Sequence, residues 1–421
     1  MTLKRIFAHP YTLVLATILI AMIGPHIWLH DEWTDVYPAT SRRLAAGQDI
    51  YPPMTGYVYP PFSAILFLPL AWLGDKAAQV IWYVASAIAL ALLVKATWSL
   101  SGGKNVDRLD APAEEHVIAV LACLCAMRFA FNALSHLSLD LIIAAMLMAG
   151  GLAAVHGRWM RTAIWWGIAA AFKGPPLMFA GYLLWRRRWA PAIVMVALSV
   201  ALNLLPDLIH RPPEGGLWVQ RWSRQYIAPL AHANYAPGQW YTDILNNQSM
   251  AGGFNRWFLT TFSTTPDGIR LTPRPGAMSP TSLKRLLYAA DAVICLMAAA
   301  VMMPGLPRSW GDQVPVSRTA LEISIVMLLI LLFSPISSPS LFCLMLLPAF
   351  CVTRAAVYQR DWFCWTCIVL ATLASTASHN LGFARTFNRE MLWFGMATIC
   401  AMMLLLACVW LLASRRPVVA Q

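Results

Sequence analysis

The chain has 421 residues, of which 59% are hydrophobic and only 12% charged. A soluble domain carries about 25% charged residues, so this balance, with a mean hydropathy of +0.59, excludes an ordinary globular protein and means a polytopic membrane one. The net charge of +12 does not point to nucleic acid, because the basic residues stand in short clusters between apolar runs, the dispersal that the positive-inside rule produces.

In chain order, Lys4 and Arg5 precede the apolar run 11–29. That run is long enough for a hydrocarbon core of about 30 Å and reads as an uncleaved anchor, since no small-residue cleavage site follows it. The stretch 31–61 gathers four acids, Asp31, Glu32, Asp35 and Asp49, with two arginines and several tyrosines, and ends in Tyr59-Pro60-Pro61. A segment this polar and irregular must sit in water at a membrane face. Pro38 suits the first turn of a helix, which SRRLAA continues until Gly47 stops it. Residues 62–74, interrupted by Pro69, are too short to span and are expected as a second interfacial or re-entrant helix.

Spans are predicted over 77–98, 117–133 and 137–155. A broken hairpin follows from Thr162 to Arg188, interrupted by Lys173-Gly174-Pro175-Pro176, and then a span over 192–208. The loop 209–282 is rich in Trp, Pro, Gly and Asn, with too few aliphatic residues for a core of its own. Further spans are expected near 284–303, 320–334, 341–353, 362–377 and 391–413. The prediction is an all-α, polytopic membrane protein of about twelve transmembrane helices, a single integral membrane domain over 1–421. Interfacial helices lie in outer loop 1 (about 30–76), and the large outer loop covers about 209–282. Both termini face the cytoplasm, because every inner connection has at least two basic residues while the outer ones at 134–137 and 335–340 have none.

Ionisable groups within apolar runs are costly and are functional candidates by default. Arg128, His136, Asp140 and Lys173 gather with Asp31 and Asp35 at one membrane face in this topology. Arg128 has snorkelling as its plain alternative, and His136 reads more simply as a satisfied interfacial histidine. Lys173 is the sharper case: Gly-Pro-Pro behind it prevents a normal helix, and broken helix ends at membrane depth usually line a cavity. Glu322 reads as a helix-start residue, and Asp291 has no obvious partner. In the large loop, Asp243 to Ser249 (DILNNQS) with Gly252, Gly253 and Arg256 is a dense hydrogen-bonding patch that, taken alone, is a turn. Most of the nine cysteines stand in apolar runs. Cys364-x-x-Cys367 has no second pair nearby, so these thiols read as buried small hydrophobes.

An ordered series of motifs resembles glycosyltransferase family 87. It runs Tyr37…Gly47…Tyr51…Tyr59-Pro60-Pro61, then Pro69-Leu70, Phe172 to Pro176 with Trp185 and Arg186 to Arg188, Asn247-Gln248-Ser249…Arg256, and Ser334-Pro335-Ile336-Ser337. Three departures stand out. Trp33 occupies the place of the family's usual loop carboxylate, Ser135-His136 that of a Gly-Gln pair, and Ser338-Pro339-Ser340 that of aromatic and histidine residues.

The resemblance implies a GT-C-like fold and an inverting transfer of a sugar, mannose above all, from a polyprenyl-phosphate carrier. The acceptor would be the hydroxyl of a glycolipid or polysaccharide at the extracytoplasmic face of the plasma membrane. It implies a carboxylate as the base, a role we assign to Asp35 with Asp31 second; Lys173 and Arg128 are assigned to the donor phosphate, and His136, Tyr59, Asn247, Gln248 and Arg256 to substrate. No cofactor or metal is expected, since neither a nucleotide-binding glycine motif nor a histidine-rich ligand set is present, although Asp31, Glu32 and Asp35 could hold a metal. Two alternatives stay open: a lipid-precursor transporter, which needs polar residues deep in several spans where the inner halves read as apolar, and a polysaccharide ligase or polymerase centred on His210, Arg211 or His232.

Overall fold

The computed structural model describes residues 32–52, 56–103, 112–229, 245–265, 268–303, 316–377 and 385–414. The expected first span, Asp31, His232, Asp243, Arg308 and the basic C-terminus lie outside these residues. Helix α1 (Glu32–Ala45) begins upstream of Pro38, which sits inside it and not in its first turn. Its inward stripe is Trp33, Tyr37, Ser41 and Leu44, the spacing of a helix that buries one face. Gly47, at φ +67°, ends the helix. The Gln48 N–H reaches the Arg43 carbonyl at 2.9 Å and the Gly47 N–H reaches that of Leu44 at 3.2 Å, satisfying carbonyls that the helix end leaves open.

The 62–74 segment forms two short helices, α2 (Phe62–Leu66) and α3 (Leu68–Ala71), neither long enough to span. Then come α4 (Asp75–Leu100), α5 (Ala113–Ser135), α6 (Asp140–Val155), α7 (Trp159–Phe172), a 3₁₀ turn (Pro175–Leu177) and α8 (Met178–Trp185). They are followed by α9 (Trp189–Leu204), α10 (Pro206–Ile209) and α11 (Trp218–Trp222), which runs into a π-helical turn (Ser223–Ile227). The large loop also holds α12 (Met250–Leu259) and an antiparallel hairpin, β1 (Thr260–Thr265) with β2 (Gly268–Pro273). This small sheet is the one departure from the all-helical expectation among the described residues. The rest comprises α13 (Pro280–Val301), α14 (Arg318–Phe333), a 3₁₀ segment (Pro339–Met345), α15 (Leu346–Gln359), α16 (Trp362–Ala377), α17 (Arg385–Trp393) and α18 (Met396–Ala413).

Among the described residues, five helical stretches are long and apolar enough to cross a membrane: 75–100, 113–135, 189–209, 339–359 and 396–413. This makes the chain an integral membrane protein; these five are counted among the described residues, which leave out the first expected span. The second arm of the hairpin, α8, has only eight residues. The expected span 391–413 divides at Gly395, whose φ of +72° breaks the helix. Helix α14 is buried at every residue from Ala320 to Leu332, all apolar but Glu322 and Ser324, so it forms the centre of the bundle.

Small residues let the helices approach closely. A Cβ on Gly150 would lie 2.3 Å from the Trp166 indole nitrogen, and one on Gly167 would lie 2.9 Å from the Met195 carbonyl. Through these contacts α7 is locked against α6 and α9, as small residues do between membrane helices.

The bundle has two chemically different ends. One carries Arg158, Arg161, Arg186 to Arg188, Arg318, Arg354 and Arg360 at or beside its turns. Here Arg354 forks onto Glu115 at 2.6 and 2.9 Å, with the Tyr358 hydroxyl donating to the same carboxylate at 2.8 Å. Glu322 accepts from Arg318 Nε at 2.8 Å and from Tyr182 at 2.9 Å, with Arg186 at 3.5 Å. The inner halves are therefore not wholly apolar, and Glu322 does more than start a helix: it ties α8 to α14. The other end holds the α5–α6 turn, the break after α7, outer loop 1 and the 334–340 segment.

Candidate active site

At this second end the hairpin breaks where the sequence demands it. Pro175 and Pro176 cannot donate to a helix, and Lys173, the last residue before Gly174, adopts an extended conformation (φ −152°, ψ 122°). Its Nζ therefore leaves the helix axis and meets Asp140 Oδ1 at 2.6 Å. Asp140 is the first residue of α6 and is 1% exposed. The helix N-terminus favours its negative charge, and the Ser138 hydroxyl donates to its second oxygen at 2.9 Å. The turn before it is held by Trp82, whose indole N–H donates to the Leu137 carbonyl at 2.9 Å.

Two tyrosines from outer loop 1 meet beside this ion pair. The Tyr37 hydroxyl donates to that of Tyr59 at 2.7 Å, and the Lys173 ammonium lies 5.7 Å from the centroid of the Tyr59 ring, within reach of a cation–π attraction. Burial pushes both phenols above the usual tyrosine range; the nearby Lys173 charge opposes that shift at Tyr59. Both stay protonated donors near neutral pH.

The loop carrying Tyr59 is fastened on several sides. Tyr226 donates to the Tyr57 carbonyl at 2.9 Å, Trp222 to that of Val58 at 3.0 Å and Tyr51 to that of Tyr59 at 2.9 Å. Asn203 of α9 accepts from the Phe62 N–H at 3.1 Å and donates to the Ala171 carbonyl at 3.3 Å, which joins the loop to the end of α7 two residues before Lys173.

The remaining expected site residues are dispersed. Asp35 lies on the exposed side of α1, while Tyr37, on the buried side, reaches the Lys173 cluster. Asp49 is bound by Arg221, which also holds Glu214 at 2.6 Å; this tethers the two outer loops to each other. His136 is exposed and turns its Nδ1 back to the Asn132 carbonyl at 2.9 Å, closing the end of α5, as the plain reading had it. Arg128 stacks over its neighbour Phe129 at 4.1 Å, and its Nε has no partner among the described residues.

Asn247, Gln248 and Arg256, expected on substrate, are fully buried and face the protein's own main chain. Asn247 donates to the Pro335 carbonyl at 3.0 Å, and the Gln248 N–H donates to that of Ser337 at 2.8 Å. Arg256 donates to the carbonyls of Asn247 at 2.7 Å and Trp393 at 3.0 Å. The Asn247 side chain and the Gln248 main chain hold the 334–340 segment, and Arg256 braces Asn247; the chain continues to Ser340, bonded to Asn132 at 3.0 Å, and to Cys343, packed under the Asp140 carbonyl.

The Lys173–Asp140 ion pair and Tyr59 lie within one stretch that the model of glycosyltransferase family 87 matches, residues 57–335, about two thirds of the sequence; Tyr37 precedes it and the 334–337 segment straddles its end. The chain belongs to glycosyltransferase family 87. Sequence reasoning left two members of this glycosyltransferase's cluster out of the expected site: Tyr37, which it used only as a motif residue, and Asp140, which it placed at the same end as Lys173 without a partner. The available signal was a carboxylate opening an apolar helix directly after Ser-Leu. No curated protein matches the chain. Among solved structures, ArnT from Cupriavidus metallidurans bound to undecaprenyl phosphate is similar at 14% identity and a TM-score of 0.37, covering 96% of this chain and 76% of that one.

Proposed function

We propose that this family 87 glycosyltransferase moves one sugar, mannose by the family resemblance, from a polyprenyl-phosphate carrier to an acceptor hydroxyl on a glycolipid or polysaccharide. The observation that carries this reading is Lys173: an ammonium at a helix break, fixed by buried Asp140 and faced by Tyr37 and Tyr59. Only one of its N–H groups is needed for Asp140, which leaves two for a phosphate. In the reaction the acceptor oxygen bonds to the sugar's C1 while the bond from C1 to the phosphate oxygen breaks, with inversion. The acceptor's proton goes to a carboxylate of outer loop 1, Asp35 by our assignment. The charge growing on the departing phosphate falls to Lys173, with Arg128 as second cation. Asp140 acts by positioning Lys173, and the tyrosines line the sugar's place.

The short turns that carry Arg158, Arg161, Arg186 to Arg188, Arg318 and Arg360 fit the cytoplasmic side under the positive-inside rule, which weighs short connections above a long loop; on that reading the Lys173 end faces the extracytoplasmic side of the plasma membrane. The test is an assay of purified protein with a panel of polyprenyl-phosphate sugars. Transfer from one of them by the wild type, and its loss in Lys173→Met, is the expected result. A Lys173→Met protein that still transfers at the wild-type rate would remove Lys173 from the site.

A further inference from the structure

Residues 218–227, α11 and the π-helical turn behind it, present two chemically different sides. The aromatic side, Trp218, Trp222 and Tyr226 at helical spacing, faces outer loop 1 and the Lys173 break. Trp222 donates to the Val58 carbonyl at 3.0 Å and Tyr226 to that of Tyr57 at 2.9 Å. A Cβ on Gly174, the neighbour of Lys173, would lie 3.9 Å from the Trp222 ring. The polar side, Gln220, Arg221, Arg224 and Gln225, joins Glu214 in lining a cavity of about 260 Å³. A π-helical turn, an element that recurs at functional sites, carries Arg224 and Gln225 into this wall.

The polar groups of the cavity are unequally committed. Arg221 is held by Asp49 and Glu214, and the Gln225 amide donates to the Tyr226 hydroxyl at 3.2 Å. The exposed side chains of Gln220 and Arg224 make no hydrogen bond among the described residues, and Glu214 gives Arg221 one oxygen only. Free donors and free acceptors therefore stand around one space, and the two arginines balance Asp49 and Glu214 in charge. That set separates the possible ligands. A phosphate or a carboxylate meets the open oxygen of Glu214 and is repelled. A divalent cation needs several oxygen ligands, and both carboxylates here already face Arg221. A sugar ring fits, since each hydroxyl donates one hydrogen bond and accepts others. The volume lies just below the range of about 300–1,000 Å³ of drug-sized pockets, the room of one ring.

We propose that this cavity binds one neutral sugar unit of the acceptor glycan, a unit apart from the one that receives the new sugar. The aromatic side of 218–227 keeps that unit off the Lys173 cluster, while outer loop 1 touches both. As an acceptor subsite the cavity rests on the transferase reading; as a sugar site it is tested without transfer.

Full-length protein in nanodiscs is titrated with the methyl glycosides of mannose, glucose and galactose and with methyl glucuronide, and binding is read by saturation-transfer NMR. At least one neutral glycoside should bind, and more tightly than the glucuronide. Arg224→Ala, at an exposed side chain, should weaken it about tenfold, the scale of one hydrogen bond to a charged group, and Gln220→Ala should weaken it less. A wild type that binds none of the neutral glycosides, or binds the glucuronide more tightly, overturns the proposal. So do two variants that both bind like wild type. In membranes supplied with a radiolabelled polyprenyl-phosphate sugar, the glycoside that binds should slow incorporation into the membrane's own glycans by wild type and not by Arg224→Ala. Incorporation that the glycoside leaves unslowed in wild type overturns the acceptor role. If no polyprenyl-phosphate sugar is incorporated at all while the binding results hold, the transferase reading fails and the acceptor role with it, and the cavity stands as a sugar site.

Discussion

The Lys173–Asp140 pair gives a prediction in which stability and catalysis move apart. Asp140 is 1% exposed at its side chain and Lys173 16%, so neither charge is well solvated once its partner is gone. Lys173→Met leaves a buried carboxylate held only by Ser138 and the helix N-terminus. Breaking such a pair on one side costs about 3–5 kcal/mol of stability. The same substitution removes the cation that meets the leaving phosphate, worth on the order of 2.7–4 kcal/mol of barrier, or about 10²–10³ in rate. The single variant mixes the two effects. Adding Asp140→Asn separates them, because the neutral amide no longer needs a counter-charge. The double variant should recover most of the thermal stability in detergent while its single-turnover rate stays about 10²–10³ below wild type. If turnover returns together with stability, Lys173 serves the fold alone and the phosphate must be met elsewhere. If Lys173→Met by itself changes neither, the pair is idle and the reasoning fails at its first step.

Asp35→Asn should lower transfer by about 10²–10⁴, the usual worth of a positioned base; full transfer would move the base to another acid of the loop. Arg256→Met leaves the buried carbonyls of Asn247 and Trp393 without their donor, at about 1–3 kcal/mol for each orphaned group. It should therefore lower the melting temperature, and a raised KM in a protein as stable as wild type would instead return Arg256 to the substrate. In a background freed of native cysteines, an impermeant thiol reagent added outside cells should label a cysteine at exposed Glu214 and spare one at exposed His156; the reverse pattern inverts the topology. Burial raises the Tyr37 and Tyr59 pKa values, so the hydrogen bond that Tyr37 donates to Tyr59 persists below the ordinary tyrosine value of about 10 and fails only above it. Tyrosinate absorbance of wild type minus Tyr37→Phe should accordingly show no step below that pH.

Much of this was legible in the sequence because the bilayer imposes local rules. Apolar runs, the arginine clusters and the Lys173-Gly-Pro-Pro break each follow from what a short window must do in hydrocarbon, and the last of these marked the end of the bundle where the Lys173–Asp140 pair forms. The sequence also placed Gly47 at the end of α1, since a positive φ there suits glycine. It erred where a local rule has an exception. Pro38 lies within a helix it was expected to begin, and the run 391–413 is cut at Gly395, where an apolar composition concealed a turn.

What only tertiary structure decided is pairing across distance. Asp140 and Lys173 are 33 residues apart, Glu115 and Arg354 are 239 apart, and Asn247 and Pro335 are 88 apart. Nothing in a local window tells whether a polar side chain will meet a substrate or a main-chain carbonyl. Asn247, Gln248 and Arg256 have the composition of a sugar site, yet their side chains meet the main-chain carbonyls of Pro335, Leu245, Leu392, Asn247 and Trp393, because buried carbonyls must be paired. Asp35 and Tyr37 stand two residues apart in one acidic loop, yet the turn of α1 sends Tyr37 to the ion pair and Asp35 to the exposed side. That difference of two residues is roughly 200° of helix rotation, and it takes on meaning only once the helix has a partner to face.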